Sequence, residues 1–285
     1  MKRVLLIAAA MIAINGTTLL AAEHPVKKFY FNVEEKKITL LREPEKAATV
    51  WAFNGTVPGP VMRVNKGDRV KIYFENTSGN PHSIHIHGSH PFEMDGTGDK
   101  ELHPNHAQDP QTEFVYDFIA EEPGYYPYHC HVDAAKHMDM GMYGLLIVED
   151  PAQKKTYDRE FISFWDEWDI DGDGVYETHT INSKSYPDTE PLKAKVGERI
   201  RIVMVAFGYE VHAPHIHGAV ADVLDQFTGA KLYKSDTEMF TTAQVRVMEA
   251  SFKHKGKWMF HCHVEPHIVD DGEYPRGMMT FIEVE

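Results

Sequence analysis

His129-Cys130-His131-Val132-Asp133-Ala134-Ala135-Lys136-His137-Met138-Asp139-Met140-Gly141-Met142 is the stretch around which the chain reads. On a β-strand successive side chains point to opposite faces, so His129 and His131 share one side while Cys130 faces the other. A soft thiolate with imidazole and thioether nearby suits copper, in a His2Cys arrangement with a weak axial methionine. Cys130 would hold such an ion with His137, Met142 and a histidine from elsewhere in the chain. His129 and His131 would then point at a second metal site across the strand, joined to the sulfur through a few covalent bonds. That arrangement is an electron path, and it predicts an oxidoreductase.

Alone, the stretch is a weak signal: His-X-His is common on solvated strands, and a lone cysteine is more often a small buried hydrophobe. Its recurrence decides the matter. His261-Cys262-His263 repeats the triplet and is followed by His267 and Met278. Upstream of the triplets lie His82-Ser83-Ile84-His85-Ile86-His87-Gly88 and His212-Ala213-Pro214-His215-Ile216-His217-Gly218, with the same spacing. The two halves are offset by 130 to 132 residues, so the chain is two near-equal repeats, each about the size of one small barrel. Within each upstream motif the later two histidines share a strand face and the first has opposite parity. Parity therefore sorts the donors into two thiolate sets and two imidazole sets. The thiolate sets are His82, Cys130, His137, Met142 and His212, Cys262, His267, Met278. The imidazole sets are His85, His87, His129, His131 and His215, His217, His261, His263. Four imidazoles are few for a multinuclear cluster; eight, from two facing domains, could hold three coppers.

The rest of the chain predicts an all-β architecture. Short strands broken by Gly and Pro, with no sustained helical period, read as Greek-key barrels or sandwiches. Lys28–Leu41 alternates as a first strand or hairpin, and Lys66-Gly67-Asp68 is a tight turn between Val61–Val64 and Arg69–Glu75. Lys195-Val196-Gly197-Glu198 echoes that turn in the second half. The expected division is a signal peptide at 1–22, a first domain at 23–150, a polar linker at 151–158 and a second domain at 159–285.

Lys2 and Arg3, the apolar run Val4–Ile14 and Leu20-Ala21-Ala22 predict export to the periplasm or beyond, with nothing later long enough to span a membrane. The formal charge of −14 becomes −16 without residues 1–22. Such a surface disfavours nucleic acid and favours the approach of cations. In an exported chain two cysteines suggest a disulfide. Pairing Cys130 with Cys262 would destroy both metal sets, so both are expected as thiolate ligands. The extra histidines His90, His103 and His106 read as solvated loop residues. Asp169-Ile170-Asp171-Gly172-Asp173-Gly174 resembles a calcium loop, but its twelfth position is Thr180, and a solvated acidic loop is the expectation.

The paired motifs, His-x-x-His-x-His-Gly with His-Cys-His…His…Gly-Met, resemble the multicopper oxidases, and within them the two-domain, small-laccase-like group. The resemblance covers about residues 28 to 285. It implies two tandem cupredoxin-like domains, type 1 copper in the thiolate sets, and a trinuclear cluster that reduces dioxygen to water. His85 and His215 would hold the type 2 copper. His87, His129, His131, His217, His261 and His263 would hold the type 3 pair. The family builds each cluster between domain 1 of one subunit and domain 2 of the next, which implies a homotrimer. Asp95 lies where the family carries an acid that helps deliver protons. One departure stands out: four residues separate Cys262 from His267 and ten separate His267 from Met278, against six and four in the first half. Small reductants (phenols, aromatic amines, Cu(I) or Fe(II)) are the expected donors. The rivals are a copper nitrite reductase, whose second domain lacks a thiolate site, and a copper-binding electron carrier, which would leave eight histidines unexplained.

Overall fold

A computed structural model describes residues 24–88, 90–99, 101 and 108–285. The expected signal peptide and the histidines His103 and His106 lie outside the described residues. In the first half the strands are β1 (Val26–Arg42), β2 (Glu45–Phe53), β3 (Val61–Asn65), β4 (Arg69–Glu75), β5 (His85–Ile86), β6 (Glu113–Ile119), β7 (Gly124–His129) and β8 (Tyr143–Glu149). They form two four-stranded sheets, ordered β2-β1-β4-β6 and β3-β8-β7-β5. Alternation explains the inner faces: Phe31 and Val33 of β1 and Val70, Ile72 and Phe74 of β4 are buried between polar neighbours.

The second half repeats this plan with β9 (Arg159–Trp168), β10 (Thr178–Ile181), β11 (Leu192–Ala194), β12 (Arg199–Ala206), β13 (Pro214–Ile216), β14 (Ala221–Leu224), β15 (Lys231–Ser235), β16 (Val245–Ser251), β17 (Gly256–Cys262) and β18 (Met279–Val284). Its sheets are ordered β10-β9-β12-β16-β14-β15 and β11-β18-β17-β13. β1 and β4 run parallel, as do β9 and β12, and the same holds for β3 with β8 and β11 with β18. The crossings are those of a Greek-key sandwich made twice.

A third apolar layer joins the halves. Tyr143, Leu145 and Ile147 of β8 pack with Phe164, Val203, Val205, Phe207 and Val247 from the second half. β8 and the later part of β12, residues 202–206, are thus covered on both faces, which is why they run apolar without alternation. The stretch from 150 to 158 carries no strand, yet it is pinned. Thr156 Oγ1 donates to Glu249 at 2.6 Å, and Arg201 lies over the Tyr157 ring at 4.2 Å.

One element departs from the sequence expectation. Ala134–Asp139 is a six-residue helix, α1, carrying His137. A segment so short shows no helical period, and its place between β7 and β8 rather than propensity fixes it.

Candidate metal centres

The first thiolate set draws on three places in the chain. His82 is tied to Gln108 by two backbone hydrogen bonds of 3.0 and 2.9 Å. Cys130 lies one residue past β7, and His137 sits on α1. Cys130 Sγ is 2.9 Å from His137 Nδ1 and 3.9 Å from His82 Nδ1, and the two Nδ1 atoms are 3.2 Å apart. All three side chains are buried, as is Met142. Cys130 N–H donates to the Met142 carbonyl at 3.0 Å, and Met142 N–H to the His137 carbonyl at 3.0 Å. The backbone thus fixes the methionine against the other donors.

The second set reproduces the first. Cys262 Sγ is 3.5 Å from His267 Nδ1, which is 3.4 Å from His212 Nδ1. Cys262 N–H donates to Met278 at 3.0 Å and Met278 N–H to His267 at 2.8 Å, the same two bonds as in the first half. The longer loop closes on itself, Asp270 and Glu273 exchanging bonds of 3.1 and 2.9 Å, so it adds chain without moving Met278. Gly277 makes the closure possible: its φ is +65°, and a Cβ there would stand 2.1 Å from the His267 carbonyl oxygen. Backbone N–H groups of Ser83 and Ala213 point at the two sulfurs from 3.4 and 3.3 Å, which favours thiolate.

Two buried imidazoles, a cysteine and a methionine in each half fit copper by donor chemistry. Burial lowers the imidazoles, His82 and His267 to about 3 and His137 to about 4, so they are neutral at physiological pH, the form in which an imidazole can hold a metal. Burial also pushes both thiols up to about 11, so metal binding must displace a proton from each.

Across the strand, His85 is the register partner of His129, and His215 of His261. His85, His129 and His131 turn Nδ1 to the carbonyls of Asp95, Cys130 and Thr97 at 2.6, 2.9 and 2.9 Å. His215 and His261 do the same toward Asp236 and Cys262 at 3.0 and 2.8 Å. A carbonyl only accepts, so each Nδ1 carries the proton and Nε2 is left as the free donor. His87 and His129 bring their Nε2 atoms to 3.2 Å, and His217 and His261 theirs to 3.1 Å. His131 and His263 complete the sets, with rings 5.1 and 5.3 Å from those of His85 and His215. Burial lowers His87 to about 4 and His129 to about 3. The thiolate sets thus use Nδ1 and the imidazole sets Nε2. Among the described residues, ring contacts between these histidines stay within one half.

The strand carrying the upstream histidines is shorter than the strand-parity expectation requires. β5 has only two residues, and His82 pairs with Gln108 rather than with β7. His82 lies within the crossing from the sheet of β4 to that of β5, so it is set apart from His85 and His87 by the crossing and not by strand parity.

Asp95 lies against the first imidazole set, its Oδ1 3.4 Å from His85 Nδ1 and 3.5 Å from His90 Nε2. His90 corrects its expectation as a solvated residue: its side chain is 10% exposed, and Nε2 lies 3.0 Å from the Ile86 carbonyl oxygen. Sequence reasoning also passed over Glu167, Glu210 and His179, which surround the second thiolate set. The signal was Asp166-Glu167 inside the apolar run of β9, two acids that a buried strand needs a reason to carry. In the acidic loop, Asp169 and Asp173 carboxylates accept backbone N–H groups of the loop itself, from Gly172 at 2.7 Å and Val175 at 2.8 Å among others.

An all-β repeat with two buried His2Cys sets, each backed across a strand by four imidazoles, defines a copper protein of the cupredoxin class. The multicopper oxidase family matches residues 32–153 and again 165–279, and the chain belongs to it. It is similar to the structure of a blue copper oxidase from Nitrosomonas europaea, with a TM-score of 0.84, 32% identity and coverage of 91% of this chain and 86% of that one. A multicopper oxidase, mgLAC, gives a TM-score of 0.84 at 30% identity, over 91% of this chain and 86% of the other. The multicopper oxidase MmcO of Mycobacterium tuberculosis is 36% identical over 51% of this chain. A probable nitrite reductase-hydroxylamine oxidoreductase fusion protein of Kuenenia stuttgartiensis is 27% identical over 90% of it. The chain spans only 28% and 31% of the lengths of these two relatives.

Proposed function

We propose that the protein is a laccase-like oxidase that takes single electrons from small reductants and passes them to dioxygen, which leaves as water. The observation that carries this reading is the triplet itself. Cys130 belongs to one donor group while His129 and His131 belong to another, and Cys262, His261 and His263 repeat the arrangement. Bound copper would supply reversible one-electron chemistry at each ion, so that a thiolate-set copper and a group of three together would supply the four electrons that reduction of dioxygen to water requires. The residues assigned to type 1 ions are His82, Cys130, His137, Met142 and His212, Cys262, His267, Met278. The eight remaining histidines are assigned to the cluster, His85 and His215 to its type 2 ion. Asp95 is assigned to hold and pass protons to the cluster, a reading its closeness to His85 and His90 supports.

Domain limits of 23–150 and 159–285 with a linker at 151–158 accompany this reading, as does export directed by residues 1–22. The assembly we propose is a homotrimer in which the imidazole set of one half meets the complementary set of a neighbouring copy. Exposed apolar residues beside both sets support it: Phe92 precedes Asp95, and Tyr233 and Met239 flank the segment that bonds His215.

The second reading is nitrite reduction, raised by relatives such as the copper-containing nitrite reductase of Neisseria gonorrhoeae, 28% identical over 66% of this chain. The complete thiolate set in the second half weighs against it. The deciding experiment offers copper-loaded protein phenols, Cu(I) or Fe(II) as donors with oxygen or nitrite as acceptor. Oxygen uptake without nitrite consumption is expected; nitrite consumption with no oxygen uptake would reverse the assignment.

A further inference from the structure

The two thiolate sets match in their ligands and differ in what stands behind them. In the second half, Glu167 Oε2 lies 3.2 Å from His212 Nε2, and both side chains are wholly buried. Glu167 is fixed by the backbone N–H groups of Tyr209 and Glu210, the latter at 2.8 Å. Glu210 Oε2 lies 3.1 Å from His267 Nε2 and takes a 2.8 Å hydrogen bond from His179. The His179 ring lies 4.2 Å from that of His267 and 17° from parallel. Each imidazole that turns Nδ1 to Cys262 therefore turns Nε2 to a carboxylate.

The first half has the same acid at the equivalent place and uses it differently. Glu167 is the register partner of His179 between β9 and β10, and Glu35 is the register partner of Trp51 between β1 and β2. Trp51 packs its ring edge-on against His82 and His137, at 5.4 and 4.9 Å, and its Nε1 donates to Glu35 at 3.0 Å. The tryptophan both fills the space and takes up the carboxylate. Among the described residues His82 Nε2 meets no carboxylate and is buried without a hydrogen-bond partner; His212 Nε2 and Glu167 Oε2 do not close a formal hydrogen bond either, but they face each other at 3.2 Å.

We propose that this exchange of Trp51 for His179 sets the two thiolate centres at unequal potentials, the Cys262 centre the lower, with Glu167 and Glu210 as the positioning residues that lower it. The proposal rests on the copper reading given above. An imidazole whose Nε2 faces a carboxylate at close range is a more basic ligand and favours the more highly charged, oxidised ion. An imidazole walled by an aromatic ring has no such support and favours the reduced one. Under limiting reductant, electrons would gather first at the Cys130 centre.

The test uses copper-loaded Cys130→Ser and Cys262→Ser proteins, each retaining one thiolate centre, titrated electrochemically while the thiolate-to-copper absorption is followed. The Cys262 centre should be the harder to reduce by at least about tenfold in equilibrium constant, about 59 mV for one electron. Adding Glu167→Gln to Cys130→Ser should recover much of that factor. Because Glu167 is buried, the half-exposed Glu210→Gln serves as the second variant and should shift the potential the same way. Glu35→Gln beside Cys262→Ser should leave the potential within about twofold, since its carboxylate meets Trp51 rather than a ligand. Equal potentials, or a Cys262 centre unmoved by both Glu variants, would overturn the proposal while leaving the copper reading intact. No thiolate absorption in Cys130→Ser would overturn the Cys262 centre itself, and the asymmetry with it.

Discussion

Tyr143 and Phe207 stack face to face, ring centroids 4.4 Å apart and planes 9° from parallel, and so bind the first sandwich to the second. Tyr143 directly follows Met142, and the Phe207 ring lies 6.2 Å from that of His129, so this contact underlies both donor sets of the first half. Both side chains are buried. Phe207→Ala should cost about 3–5 kcal/mol, the range for deleting a buried aromatic. Chemical denaturation of the apo-protein measures it, and a cost under about 1 kcal/mol would mean the halves do not depend on this layer.

Glu249 is a buried carboxylate of the second sandwich held by two arginines. Arg201 and Arg199 reach its oxygens at 2.6 Å each, and Thr156 donates at 2.6 Å. Burial pushes its carboxyl up, but Thr156 and the two arginines hold it below the ordinary range. Glu249→Ala leaves Arg201 without a carboxylate among the described residues and Arg199 with Asp222 alone, and should cost about 3 kcal/mol by the same denaturation assay.

Asp139 gives a pH dependence of the opposite sign. Burial, with Glu167 and Asp169 nearby, raises its carboxyl to about 6. The folded protein then holds this proton more tightly than the unfolded chain does. The resulting stabilisation is present below the unfolded value of about 4 and is lost as pH rises through 6. Asp139→Asn should therefore raise the melting temperature of the apo-protein at pH 7 and flatten its dependence between pH 4 and 6. Allowing for solvent screening, the gain is roughly 1 kcal/mol.

Copper loading has its own linkage. With both thiols pushed to about 11, each thiolate set should release one proton on binding, so apparent affinity rises about tenfold per pH unit. Below pH about 4 the slope should steepen, because His137 and then His82, lowered to about 4 and about 3, begin to hold protons that metal must displace. Calorimetry in buffers of different ionisation enthalpy counts those protons; a count of zero at neutral pH would contradict the buried-thiol geometry.

The proposed assembly rests on the imidazole sets of one chain making ring contacts only within their own halves, among the described residues. His87→Ala and His217→Ala each remove one ligand from opposite sides of the proposed interface. Dissociated, mixed and reassembled, the two inactive proteins should regain activity, since about a quarter of interfaces in a random mixture carry both intact sets. Full activity in a monomer, by sedimentation beside oxygen uptake, would overturn the trimer.

Much of this was legible in the chain because the chemistry is local. A His-Cys-His triplet needs only strand geometry to divide its donors, and its recurrence revealed the repeat. What was not legible depends on contacts distant in sequence. His137 rides on a helix too short to show a period, and β15, Lys231–Ser235, is so solvated that no burial pattern marks it. His90 is covered because its loop folds back over Ile86, a contact that the loop's polar sequence does not announce. Glu167 and Glu210 meet the second thiolate set only through β9 and the turn after β12, and nothing in the ligand motifs points to them.

The most direct test of the central claim counts electrons. Copper-loaded protein would be given a one-electron donor while dioxygen consumed, donor oxidised and peroxide formed are followed together. Passage from Cys130 or Cys262 through the flanking histidines to a shared cluster predicts about four donor equivalents per dioxygen with no free peroxide. Two equivalents with stoichiometric peroxide, or donor oxidation without oxygen uptake, would contradict it.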